Sequence, residues 1–143
     1  MDLGQRQAAA FADTHPNLRV ARAVLRAIEM GDLEALRALF HPDAVQIEYP
    51  NRLKAKGDRR DLKQMSADFE RGKAILDRQS YVVRRAVADG DAVALEVSWT
   101  GVLKIPLGAL KPGDEMTAES AIFMTMRDGK IIAQSNYDCF AAF

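Results

Sequence analysis

The run SYVVRRAVADGDAVALEVSWTGVLKI, Ser80 to Ile105, decides the fold. On either side of Asp89-Gly90 lies a stretch rich in β-branched and aromatic residues, with polarity that alternates. Asp-Gly between two such stretches is a strong hairpin signal, because a two-residue turn favours residues that tolerate positive φ. The run EMTAESAIFMTMRDGKIIAQSNYDCF, Glu115 to Phe140, repeats the device around Asp128-Gly129. The second half is therefore predicted to hold four strands in two hairpins. Between them lies PLGALKPGDE, Pro106 to Glu115, a loop with two prolines and two glycines that is long enough to overhang a site.

The first half reads differently. Leu18, Ala21, Leu25 and Ile28 follow helical spacing, as do Val20, Val24 and Ala27, so the pattern predicts a helix over 18–30. Gly31-Asp32 stops it and starts another, since Gly suits the position after a helix and Asp suits an N-cap. Leu33, Leu36, Leu39 and Phe40 make a short second helix, ended by Pro42. Residues 44–49 read as a strand. Leu62, Met65, Phe69 and Leu76 give a third helix over about 60–76. Helices followed by strands point to an α+β fold rather than to alternating βαβ units. The chain divides into an N-terminal segment 1–17, with a helix possible there, and one domain over 18–143.

Composition narrows the function classes. Twenty basic and twenty acidic residues cancel, so the chain lacks the basic excess that supplies most non-specific affinity for nucleic acid. A single cysteine, Cys139, excludes an intrachain disulfide and fits a reducing, cytoplasmic setting. The opening MDLGQRQAAAFADTHP has no apolar core after a basic region, and no window approaches the ~20 apolar residues that span a bilayer. Two histidines far apart, with no clustered carboxylates, predict no metal site. No glycine-rich phosphate loop and no nucleophile elbow is present.

Three motifs carry a family resemblance. GDLEALRALFHPDAV (Gly31 to Val45), VADGDAVALEVSWTG (Val87 to Gly101) and FMTMRDGKIIAQSNYDCF (Phe123 to Phe140) resemble segments of the SnoaL-like branch of the nuclear transport factor 2 superfamily. The resemblance covers about 18–140. It implies a cystatin-like cone, with three N-terminal helices packed on a curved antiparallel sheet that encloses a pocket. It also implies a homodimer through the sheet's outer face, a small hydrophobic ligand and no cofactor. The fold hosts isomerases, cyclases, hydratases, hydrolases and plain binding modules, so it does not name a reaction.

The resemblance also suggests positions. In the ketosteroid isomerases of this superfamily an Asp on the first strand is the base, and a Tyr with a protonated Asp forms the oxyanion hole. Counting along this chain puts the base at Glu48, the Tyr position at Val24 and the second Asp at Ile122. The acid is present and both donors are absent, so steroid isomerisation is not expected. In SnoaL-type cyclases the catalytic Asp follows the last turn, and that position holds Asn136. The cyclases' supporting positions fall on Gln46, Ser120 and Ile122.

Strand alternation groups these residues independently of the resemblance. Gln46 and Glu48 share one face, Ser120 and Ile122 share one, and Gln134, Asn136 and Asp138 share one. Glu48 is the candidate catalytic residue, and Gln46, Ser120, Ile122, Asn136 and Trp99 are candidate ligand contacts. The plain alternative for Glu48 is a strand-end carboxylate paired with Arg52 or Lys54. Trp99 shares its parity with Val93, Leu95 and Val97 and fits packing as well as ligand stacking. Tyr49 is read as core or interface, Cys139 as a buried small residue, and His41 as a helix C-terminal cation. NRLKAKGDRRDLK, Asn51 to Lys63, reads as a solvated basic loop that runs into a helix. The expected activity is a cofactor-independent isomerase, cyclase or dehydratase on a small hydrophobic carbonyl compound. The alternative is a non-catalytic ligand-binding or protein-interaction module.

Overall fold

A computed structural model describes residues 15–143. The expectation of a helix within 1–17 falls outside them, apart from the start of the first described helix. That helix, α1 (Pro16–Met30), begins earlier than the apolar pattern suggests. Proline fits the first helical position, and His15 caps the end by accepting a hydrogen bond from the Asn17 amide at 3.2 Å. At the other end Gly31 takes the left-handed conformation (φ 66°). Its amide and that of Asp32 bond back to Ile28 and Ala27, a Schellman closure that a side chain with Cβ would strain. Asp32 then caps α2 (Leu33–Ala38) through the Ala35 amide.

Strand β1 (Phe40–Glu48) starts earlier than predicted. The Ile131 amide already donates to Leu39 at 3.0 Å, so pairing begins ahead of Pro42. The register shifts between Phe40 and Val45, where the proline's missing N–H costs no ladder bond. Next comes β2 (Asp58–Asp61), where the residue pattern suggests a loop running into a helix. Four charged residues conceal a strand from propensity. As an edge strand with one inward arginine it is well formed. Asp61 caps α3 (Leu62–Gly72) and makes a reciprocal capping box with Gln64. Strands β3 (Leu76–Asp89), β4 (Ala92–Leu103), β5 (Glu115–Arg127) and β6 (Lys130–Phe140) are the two predicted hairpins.

The six strands form one sheet in the order β2-β1-β6-β5-β4-β3. All neighbours are antiparallel except β1 and β6, which run parallel, so the expected antiparallel sheet has one parallel seam. The α+β class and the packing of three helices on the sheet match the expectation. Register shifts in β3/β4 and β5/β6 mark bulges that bend the strands. The core lies between α1 and the concave face, where Leu18, Val24, Val93, Val97 and Met124 are almost wholly buried. Each such side chain contributes about 1.5–3 kcal/mol by leaving water.

Candidate functional site

Register orders the concave face into rows of increasing distance from the core. Gln46, Gln134, Met124 and Val93 form the deepest row. Glu48, Asn136, Ile122 and Leu95 form the next, followed by Asp138, Ser120, Val97 and Val83. Phe140, Ala118, Trp99 and Tyr81 form the outermost of these four. A cavity of about 380 Å³ covers the outer rows. Its remaining walls come from Gly72, Ile75 and Leu76 near the end of α3, from Leu53, and from Ile105 and Leu107 of the loop after β4. The 106–115 loop therefore reaches the site through Leu107.

Of the predicted positions, Glu48, Ser120, Ile122, Asn136 and Trp99 line this cavity. Gln46 does not. It lies one row deeper, facing a second chamber, where its Oε1 accepts a hydrogen bond from Arg60.

Glu48 is paired, but with neither Arg52 nor Lys54. Arg60 Nη2 donates to its Oε1 at 2.6 Å, and Asn51 Nδ2 to its Oε2 at 2.7 Å. Both carboxylate oxygens are therefore held. Arg60 is itself buried and is bound by Asp68 at 2.5 Å and Asp58 at 3.1 Å. A buried guanidinium needs such partners, because an unpaired charge there is costly. The charge density of the Asn51–Lys63 run gave no hint that one of its six cations turns inward.

Asp138 shares the parity of Asn136 and lies two residues beyond the position that the count from the last turn reaches. It faces the same cavity. Ser120 Oγ donates to its Oδ1 at 2.7 Å. Burial pushes the Asp138 carboxyl above its ordinary value. The Ser120 hydrogen bond pulls it back, the Glu48 charge raises it, and Arg60 and Asn136 lower it.

Tyr81 also escaped the sequence reading. Burial, together with the Asp138 and Glu29 carboxylates, pushes its phenol far above the usual range. It is therefore a protonated O–H donor at working pH. Trp99 presents its ring to the cavity while its Nε1 donates to Gln79 Oε1 at 3.0 Å. The indole packs so closely on Gly101 that a Cβ there would lie 2.6 Å from the ring. The TG following Trp99 is thus part of the site's construction.

The convex face differs. Tyr49 stacks on Tyr137 at 4.5 Å, and Phe123 meets Tyr137 edge-on at 5.8 Å. All three are exposed, so Tyr49 is not a core residue. Cys139 is exposed rather than buried, since it shares the outward parity of Tyr137. His41 lies in β1 and accepts a hydrogen bond from the Asp43 amide, instead of capping a helix end. Among the described residues no group of three or more His, Cys, Asp or Glu is placed to hold a metal ion. None of the described helices is long and apolar enough to cross a membrane.

Comparison with known proteins agrees with this geometry. The SnoaL-like domain family matches residues 21–134. No curated protein matches the chain. Among solved structures, IdmH of Streptomyces antibioticus, proposed to be a polyketide cyclase, superposes with a TM-score of 0.73 at 25% identity, covering 87% of this chain and 92% of IdmH. An LEH-like epoxide hydrolase of M. tuberculosis gives 0.65 at 21% identity over 88% of this chain and 83% of its own. A protein of Catenulispora acidiphila with a ketosteroid isomerase-like fold, in complex with trimethylamine, gives 0.67 at 22% over 82% and 83%. The last two speak for the fold alone.

Proposed function

The chain belongs to the SnoaL-like domain family, and from that premise we propose a cofactor-independent enzyme that moves a proton on a small, largely apolar carbonyl compound. Isomerisation, cyclisation and dehydration all begin with such a step. The observation that carries the reading is Asp138, a desolvated carboxylate positioned by Ser120 in a mostly apolar cavity. A base whose pKa is raised toward working pH is better matched to carbon acids. Asp138 takes a proton from the carbon next to the carbonyl, and the negative charge that develops on oxygen accepts a hydrogen bond from Tyr81. Trp99 and Phe140 give shape to the apolar part of the ligand, and Asn136 orients its polar end. Glu48, expected as the base, takes a positioning role instead, since Arg60 and Asn51 hold both of its oxygens.

The test is α-proton exchange of 2-tetralone in D₂O, followed by NMR. The protein should accelerate exchange, and Asp138→Asn should remove about 10²–10⁴-fold of that acceleration. Glu48→Gln should retain most of it. Binding of the ketone without accelerated exchange would sink the catalytic reading in favour of the ligand-binding module.

The second part of the proposal is a homodimer. The exposed Tyr49–Tyr137–Phe123 cluster on the convex face is its contact with a second copy. Aromatic residues are enriched at such interfaces.

A further inference from the structure

Behind the outer cavity lies a second chamber of about 240 Å³. Its wall is largely apolar, with Val24, Leu36, Phe40 and Phe69 from the helices and β1. Two hydrogen-bonded side-chain pairs join the linings of the two spaces, one member in each. Glu48 lines the outer cavity and its partner Arg60 the inner chamber. Asn136 lines the outer cavity and its partner Gln134 the inner one, with Gln134 Nε2 donating to Asn136 Oδ1 at 2.8 Å. Gly72 and Gln79 line both spaces.

Gln134 is 6% exposed, and its Oε1 is buried with no hydrogen-bond donor among the described residues. The amide orientation is set by Asn136, whose NH2 donates to the Asp138 carboxylate and whose Oδ1 is left to accept from Gln134 Nε2, so the unpartnered end of Gln134 is its acceptor. Such an orphan is rare in a folded interior and calls for a reason. A single water is a poor one, because it needs two to four polar partners. Here Arg60 already donates to Gln46 Oε1 and to Asp68.

We propose that the inner chamber is a second subsite of the same pocket, so that the ligand is an elongated apolar molecule with a neutral hydrogen-bond donor, such as a hydroxyl, at its inner end. The inference rests on the pocket reading above and adds the length and polarity of the ligand. The apolar body passes from one space to the other where Gly72 and Gln79 face both, and the donor meets Gln134 Oε1. A cationic end is disfavoured, because the chamber already holds the Arg60 guanidinium.

Methionine placement gives a direct readout. Met116 lines the outer cavity and Met65 the inner chamber. The full chain, labelled with [¹³C-methyl]methionine, is titrated with 4-phenylphenol and with 4-methoxybiphenyl, which is of similar length but lacks the donor. Met65→Leu and Met116→Leu assign the two methyl signals. The expected result is a shift at both methyls with 4-phenylphenol, and binding weakened about ten-fold by Gln134→Leu, as for one lost hydrogen bond. The ether should bind equally to both proteins. A response at Met116 alone overturns the inference and leaves the pocket reading standing. A response at neither methyl overturns both. A Met65 shift that is equal for the two probes and unaffected by Gln134→Leu overturns the donor assignment. If that variant fails to fold, the methyl pattern of the unaltered chain decides.

Discussion

Phe123 and Tyr137 point out of the sheet, while their neighbours Ile122, Asn136 and Asp138 point in. Along β5 and β6 the two faces thus invert the usual arrangement. The convex side carries aromatics, 51% exposed at Phe123 and 44% at Tyr137. The concave side buries Ser120 at 8% and Gln134 at 6%. Each inversion costs free energy in an isolated chain. Buried polar groups are costly unless bonded, and exposed apolar patches invite association. The outer face of β4 and β5 adds a polar counterpoint, with Glu119 held by Ser98 and Arg84. The Ser98 hydrogen bond, followed by Arg84, holds the Glu119 carboxyl below its usual range. On the proposed reading the inner face takes a small ligand, and part of the outer face a second copy of the chain.

The largest expected effect comes from breaking the inner face at its buried charge. Arg60→Leu removes the cation shared by Glu48, Asp58 and Asp68; Asp58 keeps Lys54 and Asp68 keeps Arg71, but Glu48 loses its ion-pair partner. Losing one member of a buried pair destabilises by about 3–5 kcal/mol. The urea midpoint should fall accordingly, with the slope unchanged. A loss below about 1 kcal/mol, typical of exposed pairs, would mean that Arg60 is effectively solvated.

Much of the fold was legible because its signals are local. The two Asp-Gly turns, the Gly31-Asp32 junction and the apolar spacing of α1 each act within a few residues. The β2 strand was not legible, because its four charged residues make sense only once it pairs with β1 at the sheet edge. The parallel β1/β6 seam joins residues far apart in sequence and leaves no local trace. Parity put Gln134, Asn136 and Asp138 on one face correctly. It could not set depth, and two residues along a strand are about 7 Å. That distance separates Asn136, bonded to the inner chamber's Gln134, from Asp138 beside Ser120. Tyr81 lies across the sheet from Asp138, so no spacing argument could join them.

A smaller effect sharpens the reading of Asp138. Its carboxyl is raised in the folded state, chiefly by burial. The folded protein therefore holds that proton more tightly than the unfolded chain. The contribution to stability is complete below the unfolded value, near 3.8, and is lost as pH rises through the folded value. Asp138→Asn keeps an acceptor for Ser120 and removes the titration. The variant should gain stability relative to the parent as pH goes from acid to neutral, measured by thermal melts across that range. A constant difference would show that Asp138 is not desolvated, and the proposed base would lose its physical footing.

The smallest effect on the monomer tests the outer face. Phe123 is half exposed, and among the described residues its ring contact is edge-on with Tyr137. Such a pair is worth about 0.5–1.5 kcal/mol beyond its buried area. Phe123→Lys should therefore leave the monomer folded and lower its stability by no more than about that amount. In the proposed dimer the same change places an ammonium against the partner's aromatic cluster, and burying an unpaired charge is prohibitive. Sedimentation should show the unaltered chain as a dimer and Phe123→Lys as a monomer, with tetralone exchange per chain preserved. A dimer that survives the lysine would move the contact off this cluster. A monomer that loses exchange would mean the two faces are coupled, so that the cavity needs the second copy to hold its shape.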